Sequence, residues 1–147
     1  MIFVSTSFIL HAQDHIQFKN YTINDGLSQS SVSCIIQDQL GALWLGTQDG
    51  INRFNGKNFE VFSADQGYDI SNGYINTSFT DRNGNMWFGT YNGLTKYNPR
   101  SVKFSSFQVK SQQRLEIQSI AEDTYGHLWI GTAFGRIFKF DTDSLKF

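Results

Sequence analysis

A single cysteine and a single proline stand among 147 residues, and neither sign of charge dominates. Cys34 has no second thiol to pair with, so an internal disulfide is excluded. With no clustered His beside it, packing within an inner strand is its expected role. Thirteen Asp and Glu against twelve Lys and Arg give a formal charge of −1 and a pI near 6.3. That balance leaves no basic field to gather phosphates, and nucleic acid is not an expected partner. The histidines, His11, His15 and His127, lack the spacing of metal ligands, and no metal or cofactor is expected. After the first dozen residues no apolar run approaches the roughly 20 needed to cross a bilayer as a helix.

The chain is rich in aromatic and turn-forming residues. With 14 Phe, 6 Tyr, 3 Trp and 13 Gly, short apolar runs alternate with clusters of Asn, Asp and Gly, the composition of β structure. One thirteen-residue frame, D-x-x-G-x-Ω-W-Ω-G-T-x-x-G with Ω apolar, occurs as DQLGALWLGTQDG from Asp38, DRNGNMWFGTYNG from Asp81 and DTYGHLWIGTAFG from Asp123. Trp44, Trp87 and Trp129 share one slot of it, 43 and 42 residues apart, a period in the range of roughly 40 to 50 for one four-stranded propeller blade. In Leu43-Trp44-Leu45-Gly46 both faces of the strand are apolar and must both be covered. A sandwich usually leaves one face wet, whereas a propeller packs each blade between two others. The expected fold is all-β, a partial β-propeller of about three four-stranded antiparallel blades.

The four strands of each blade are expected in chain order. The first covers Val32 to Gln37, Ile75 to Thr80 and Ile117 to Glu122, and the second carries the tryptophan. The third runs Ile51 to Phe54, Leu94 to Tyr97 and Ile137 to Phe140, after a turn that Arg136 lengthens by one residue in the third repeat. Asn55-Gly56 predicts a tight hairpin with positive φ at both central residues. The fourth strand is marked by Phe59 and Phe62, Phe104 and Phe107, and lastly Phe147; Phe18 and Tyr21 carry the same mark upstream. The blades are thus expected at 32–62, 75–107 and 117–147, the last with an incomplete outer strand. A lone outer strand and the loop leading from it precede them over 16–31. Residues 1–12 read as a signal peptide, with an ordinary N-terminal strand as the alternative. Closure typically takes four to eight blades, so the sequence is expected to belong to a longer protein. Self-association into a closed ring is the alternative.

The frame residues are expected to build the scaffold. Asp38, Asp81 and Asp123 precede the turn glycines Gly41, Gly84 and Gly126 once per blade, as acceptors of backbone N–H groups should. Gly46, Gly89 and Gly131 would let a neighbouring blade approach, and the indoles would be buried between blades. In an antiparallel blade the second-to-third turns and the connections between blades share one rim, free of the Asp frame, and binding groups favour such loops. The longest connections on this rim are Ile23 to Ser31, Ser63 to Tyr74 and Gln108 to Glu116. The candidate ligand-binding residues there are Tyr68, Asp69, Asn72 and Tyr74 from the second of these, with Tyr91, Asn92, Phe134 and Arg136 from the turns. Gln48 and Asp49 lie beside them. Aromatic faces beside amides, a carboxylate and a guanidinium suit a small polar ligand, an oligosaccharide for example; packing over the rim is each residue's alternative role.

The combination D-x-x-G-x-L-W-L-G-T-x-x-G-I-N-R-F, preceded by YTINDGLSQSSV from Tyr21 to Val32, resembles the two-component regulator propeller repeats. These occur in the extracytoplasmic sensors of hybrid histidine kinases, especially in gut and marine Bacteroidetes. The resemblance spans Phe18 to Phe147, with one departure where Gly135-Arg136-Ile137 replaces a Gly-Leu step. It implies a periplasmic propeller of about seven blades, followed by a β-sandwich, a membrane helix and a cytoplasmic kinase in a homodimeric receptor. The expected function is ligand sensing in two-component signalling, with no catalytic residue in these blades. The rival expectations are a secreted carbohydrate-binding or adhesion propeller without a kinase, and a propeller enzyme acting on polysaccharide.

Overall fold

The computed structural model describes residues 18–108 and 114–147. The expected signal peptide at 1–12, His11, His15, the start of the 16–31 segment and residues 109–113 of the third long connection lie outside them.

Eleven strands among the described residues form three antiparallel sheets, each with its strands paired in chain order. The first blade is β1 (Val32–Gln37), β2 (Leu43–Thr47), β3 (Gly50–Phe54) and β4 (Phe59–Phe62). The second is β5 (Ile75–Thr80), β6 (Met86–Thr90), β7 (Gly93–Asn98) and β8 (Lys103–Phe107); the third is β9 (Ile117–Glu122), β10 (Leu128–Thr132) and β11 (Ile137–Phe140). Among the described residues the third blade has no fourth strand. Asp141 and Lys146 pair as an isolated bridge, and the Phe147 ring packs edge-on against Phe140, with centroids 4.9 Å apart. The first strands β1, β5 and β9 run side by side, and the blades fan out from them. This is a run of propeller blades.

The two-sided apolar character of the tryptophan strands explains the stacking. All five residues of β6, the central blade's second strand, are buried, as a strand covered on both faces must be. Trp44 of the first blade is 1% exposed and meets Tyr97 of the second at 4.4 Å between centroids, while Trp87 of the second meets Phe140 of the third at 5.5 Å. Trp129 departs from the expectation of burial and is 44% exposed, because no following sheet covers its flank among the described residues. At Gly46 an added Cβ would lie 2.5 Å from Ile75 Cγ2 of the next blade, and at Gly89 one would lie 2.4 Å from Ile117 Cγ2. The missing side chains set how closely the blades approach.

Two local expectations are corrected. Phe18 and Tyr21 lie in no strand; the described chain there leads into a short 3-10 turn, Ile23–Asp25, held by a reciprocal Thr22/Asp25 cap, and Tyr21 packs on Phe54 and Phe59. Asn55-Gly56 is not a two-residue turn, since the Phe54↔Phe59 pair closes a four-residue loop in which Gly56 has positive φ and Asn55 does not. Asn55 Oδ1 instead accepts the N–H groups of Lys57 and Asn58. Asn98 and Asp141 do the same for Arg100 and Ser101 and for Asp143 and Ser144, so one side-chain-headed turn recurs in each blade. The lengthened third turn is as expected: Thr132 Oγ1 donates to the carbonyl four residues on, at Arg136, where Thr47 and Thr90 reach only three, to Gly50 and Gly93.

Replacing Gly89 with Val should drive a side chain into Ile117 and Thr77 and cost about 1–3 kcal/mol or more. Asp69→Ala should move the thermal midpoint little, and comparable shifts for the two variants would contradict this account of blade spacing. Trp87→Ala should cost about 3–5 kcal/mol, clearly more than Trp129→Ala, in chemical unfolding of each variant.

Candidate functional site

The recurring Asp–Trp frame is a built turn. Asp38 Oδ1 accepts the N–H groups of Leu40 and Ala42, each at 2.9 Å, and its Oδ2 accepts Trp44 Nε1–H at 2.9 Å. Asp81 repeats this with Asn83, Asn85 and Trp87 Nε1, and Asp123 with Tyr125, His127 and Trp129 Nε1. Each carboxylate has its oxygens engaged in holding the turn and orienting the indole. Desolvation alone would raise the Asp123 carboxyl pKa, but the bonds from Trp129, His127 and Tyr125 outweigh it and hold the group well below the usual carboxylate range. Among the described residues no group of His, Cys, Asp and Glu could hold a metal ion.

The opposite rim holds a different arrangement. The turn between β6 and β7 places Tyr91 5.8 Å from Tyr74, which leads into β5, and Gln48 Nε2–H donates to the Tyr74 hydroxyl at 2.9 Å. The Arg114 guanidinium lies 3.7 Å above the Tyr91 ring and 5.6 Å from that of Phe134, with Nη2 paired to Glu116 at 3.0 Å. Tyr74, Tyr91, Arg114 and Phe134 therefore form one line across the rims of the second and third blades. Tyr74, Arg114 and Phe134 are exposed and Tyr91 is partly so. Cross-blade backbone bonds fix the loops that carry them, from Gly50 N to Gly73 O at 2.8 Å and from Gly93 N to Leu115 O at 2.9 Å.

The remaining candidates are placed elsewhere or spent on structure. The Tyr68 ring turns outward onto Phe62 and Phe104, 5.1 and 5.6 Å away and nearly perpendicular to both. Asp69 accepts a bond from Ser106 on β8. Asn72 Oδ1 accepts Tyr74 N–H, and Asn92 Oδ1 accepts Leu115 N–H. Arg136 reaches back over Phe138, 5.8 Å from its centroid, rather than toward Phe134. Arg114 was not among the sequence candidates, although it lies in the flagged Gln108 to Glu116 connection.

The sequence profile of the two component regulator propeller matches residues 26–49, 69–92 and 111–134, one match for each tryptophan turn. The chain belongs to this family. Its blades are similar to the extracellular domains of two hybrid two component systems of B. thetaiotaomicron. One, with a TM-score of 0.75 and 26% identity, covers 87% of this chain and 19% of that one; the other, at 0.68 and 27%, covers 80% and 16%. A protein of Formosa agariphila called histidine kinase P4 is 46% identical over 63 residues, 42% of this chain and 5% of that protein. The chain thus spans under a fifth of each of these relatives. Virginiamycin B lyase of Staphylococcus aureus, at 13% identity and a TM-score of 0.55, shares the fold alone. No helix among the described residues is long and apolar enough to cross a membrane.

Because folding favours the ionised form of Asp123, its contribution to stability is fully present above the ordinary carboxylate value near 4 and is lost as pH falls through the depressed native value. Acid unfolding of Asp123→Asn should show less pH dependence below about pH 4 than the parent chain. Equal dependence would show that the turn bonds do not hold the carboxylate ionised.

Proposed function

We propose that these blades form part of the extracytoplasmic ligand-sensing propeller of a hybrid two-component receptor, and that the Tyr74–Tyr91–Arg114–Phe134 rim contacts the ligand, an oligosaccharide. The observation that carries this reading is the continuous line of aromatic faces and one guanidinium on loops held by cross-blade backbone bonds. Aromatic faces take the C–H side of a sugar ring, and polar groups at their edges fix its orientation. Similarity to extracellular domains of hybrid two component systems supports the cellular role. The missing remainder of the receptor would include further blades and a transmembrane kinase in a homodimer.

Such a sensor works by differential affinity. A ligand that binds one arrangement of the receptor more tightly than the other shifts the population by no more than that difference. The propeller supplies the binding free energy, and no bond of the ligand need be made or broken.

A glycan array probed with the chain, extended to a closed ring in the full receptor, should give a defined set of hits. Tyr91→Ala should weaken the strongest hit at least about tenfold, roughly 1.4 kcal/mol, with little change in melting temperature. Ligand-dependent autophosphorylation of the full receptor should weaken in parallel. Glycan binding without any effect on phosphorylation would remove sensing of that glycan from the reading, and binding indifferent to Tyr91 and Arg114 would remove the rim from it.

A further inference from the structure

A second feature lies away from the rim, on the outer wall between the first and second blades. A groove of about 490 Å³ runs there from Tyr68 down to the turn carrying Pro99, lined midway by Arg53, Glu60 and Tyr97. A smaller recess of about 220 Å³ continues it and shares Asp38, Leu40 and Pro99. Leu40 and Val102 stand at its lower end 88% and 74% exposed.

The polar groups at its centre are under-used. Arg53 lies with Nε 3.8 Å from Asp38 Oδ2, Nη1 3.7 Å from Glu60 Oε2 and its guanidinium carbon 5.9 Å from the Trp44 ring. Both separations exceed a direct hydrogen bond. Asp38 is already committed to Trp44 and its own turn. Glu60, with a side chain 58% exposed, faces the groove with no closer partner among the described residues. The Tyr97 hydroxyl lies in the field of the same charges; burial raises its pKa foremost, with Arg53 opposing and Glu60 and Asp38 assisting.

An internal comparison shows that the fold does not require these residues. In register, Trp44 pairs with Arg53 and Arg53 with Glu60; the equivalent positions of the second blade are Trp87, Lys96 and Ser105. The place of Tyr97 is taken by Phe54 in the first blade and Phe140 in the third. The frame repeats in every blade, whereas among the described residues Arg53, Glu60 and the Tyr97 hydroxyl come together at one of the two blade boundaries and have no equivalent at the other.

Charge selects the occupant. An anion drawn to Arg53 meets the carboxylates of Glu60 and Asp38, and a cation drawn to Glu60 meets the guanidinium. A hydroxyl set beside the pair can accept from the one and donate to the other, since no direct bond of normal length engages either. Tyr68, 40% exposed at the upper end, adds an aromatic wall. We propose that this groove is a second binding site, separate from the rim, for a neutral polyhydroxylated ring of the saccharide class, with Arg53 donating to and Glu60 accepting from its hydroxyls beside the Tyr68 ring.

The test is titration of the chain with maltotriose, cellotriose and xylotriose, and with trigalacturonate as the anionic control, by saturation-transfer NMR and calorimetry. At least one neutral trisaccharide should bind. Its affinity should fall at least about tenfold in Glu60→Ala and in Tyr68→Ala, with melting temperatures near that of the parent, and should be unchanged in Lys139→Ala on the third blade, away from both surfaces. Trigalacturonate should fail to bind the parent and gain binding in Glu60→Gln. Binding abolished by Tyr91→Ala but not by Glu60→Ala or Tyr68→Ala would support the rim and overturn the groove. No binding by any neutral probe, or equal binding of trigalacturonate and the neutral probes to the parent, would overturn it also.

Discussion

The structure depends on an indole fixed at both ends. Within its own blade each tryptophan donates Nε1–H to the aspartate six residues earlier, the same carboxylate that closes the turn ahead of the strand. Across the boundary, the faces of Trp44 and Trp87 lie against aromatic rings of the next blade. One interaction therefore couples turn, strand and interface. A hydrogen-bonded indole loses little polar satisfaction on burial, so the large apolar area it removes from water is not offset by a stranded N–H. The frame glycine two residues on completes the arrangement by letting the neighbouring isoleucine sit against bare backbone.

From that coupling follows where chemistry can be placed. The Asp–Trp turns occupy one rim with their acceptors engaged, and a threonine of the same frame holds the opposite turn by accepting one backbone N–H and donating to a carbonyl. Partly buried serines bonded to buried threonines tie the connections to the blades, as Ser28 does with Thr47 and Ser71 with Thr90. Side chains that the frame does not use remain on this rim, and among them Tyr74, Tyr91, Arg114 and Phe134 align. The groove is free in another way, because Arg53 and Glu60 on its wall have no counterpart in the second blade, while Phe62, Tyr97 and Phe104 beneath them are buried at the blade interface.

Much of this was legible in the residues, and for one reason: periodicity reports what every blade needs. The first strands of all three blades have the expected bounds, because an apolar-on-both-faces strand beside an Asp-x-x-Gly turn leaves little freedom of register. The aspartate's turn-building role was readable from its recurrence, but its bond to the indole was not, since spacing alone does not say where a side chain folds back. Asn55-Gly56 misled because the same dipeptide serves a two-residue turn and a side-chain-capped loop of four, and partner-strand register decides between them. Tyr68 and Tyr74, six residues apart in one loop, belong to different surfaces. The 3-10 turn at Ala64–Gln66 and the buried Ile70 decide which way each faces, and neither is visible in a pattern of aromatics.

Repetition also separates framework from function without reference to any other protein. A residue that the wheel needs must recur at each boundary; one that does not recur is held by something other than the wheel. By that criterion the indoles, the aspartates, the frame threonines and the headed outer turns are framework, though all would look catalytic or ligating if seen once. Arg53, Glu60, the Tyr97 hydroxyl and the Arg114 stack are not. Glu60, with more than half of its side chain exposed, adds little to stability through a contact of 3.7 Å with Arg53, because exposed ion pairs of that length contribute about 0–1 kcal/mol. A charge pair this weak, present in the first blade and replaced by Lys96 and Ser105 in the second, is poorly explained as a brace and fits the saccharide site proposed for the groove.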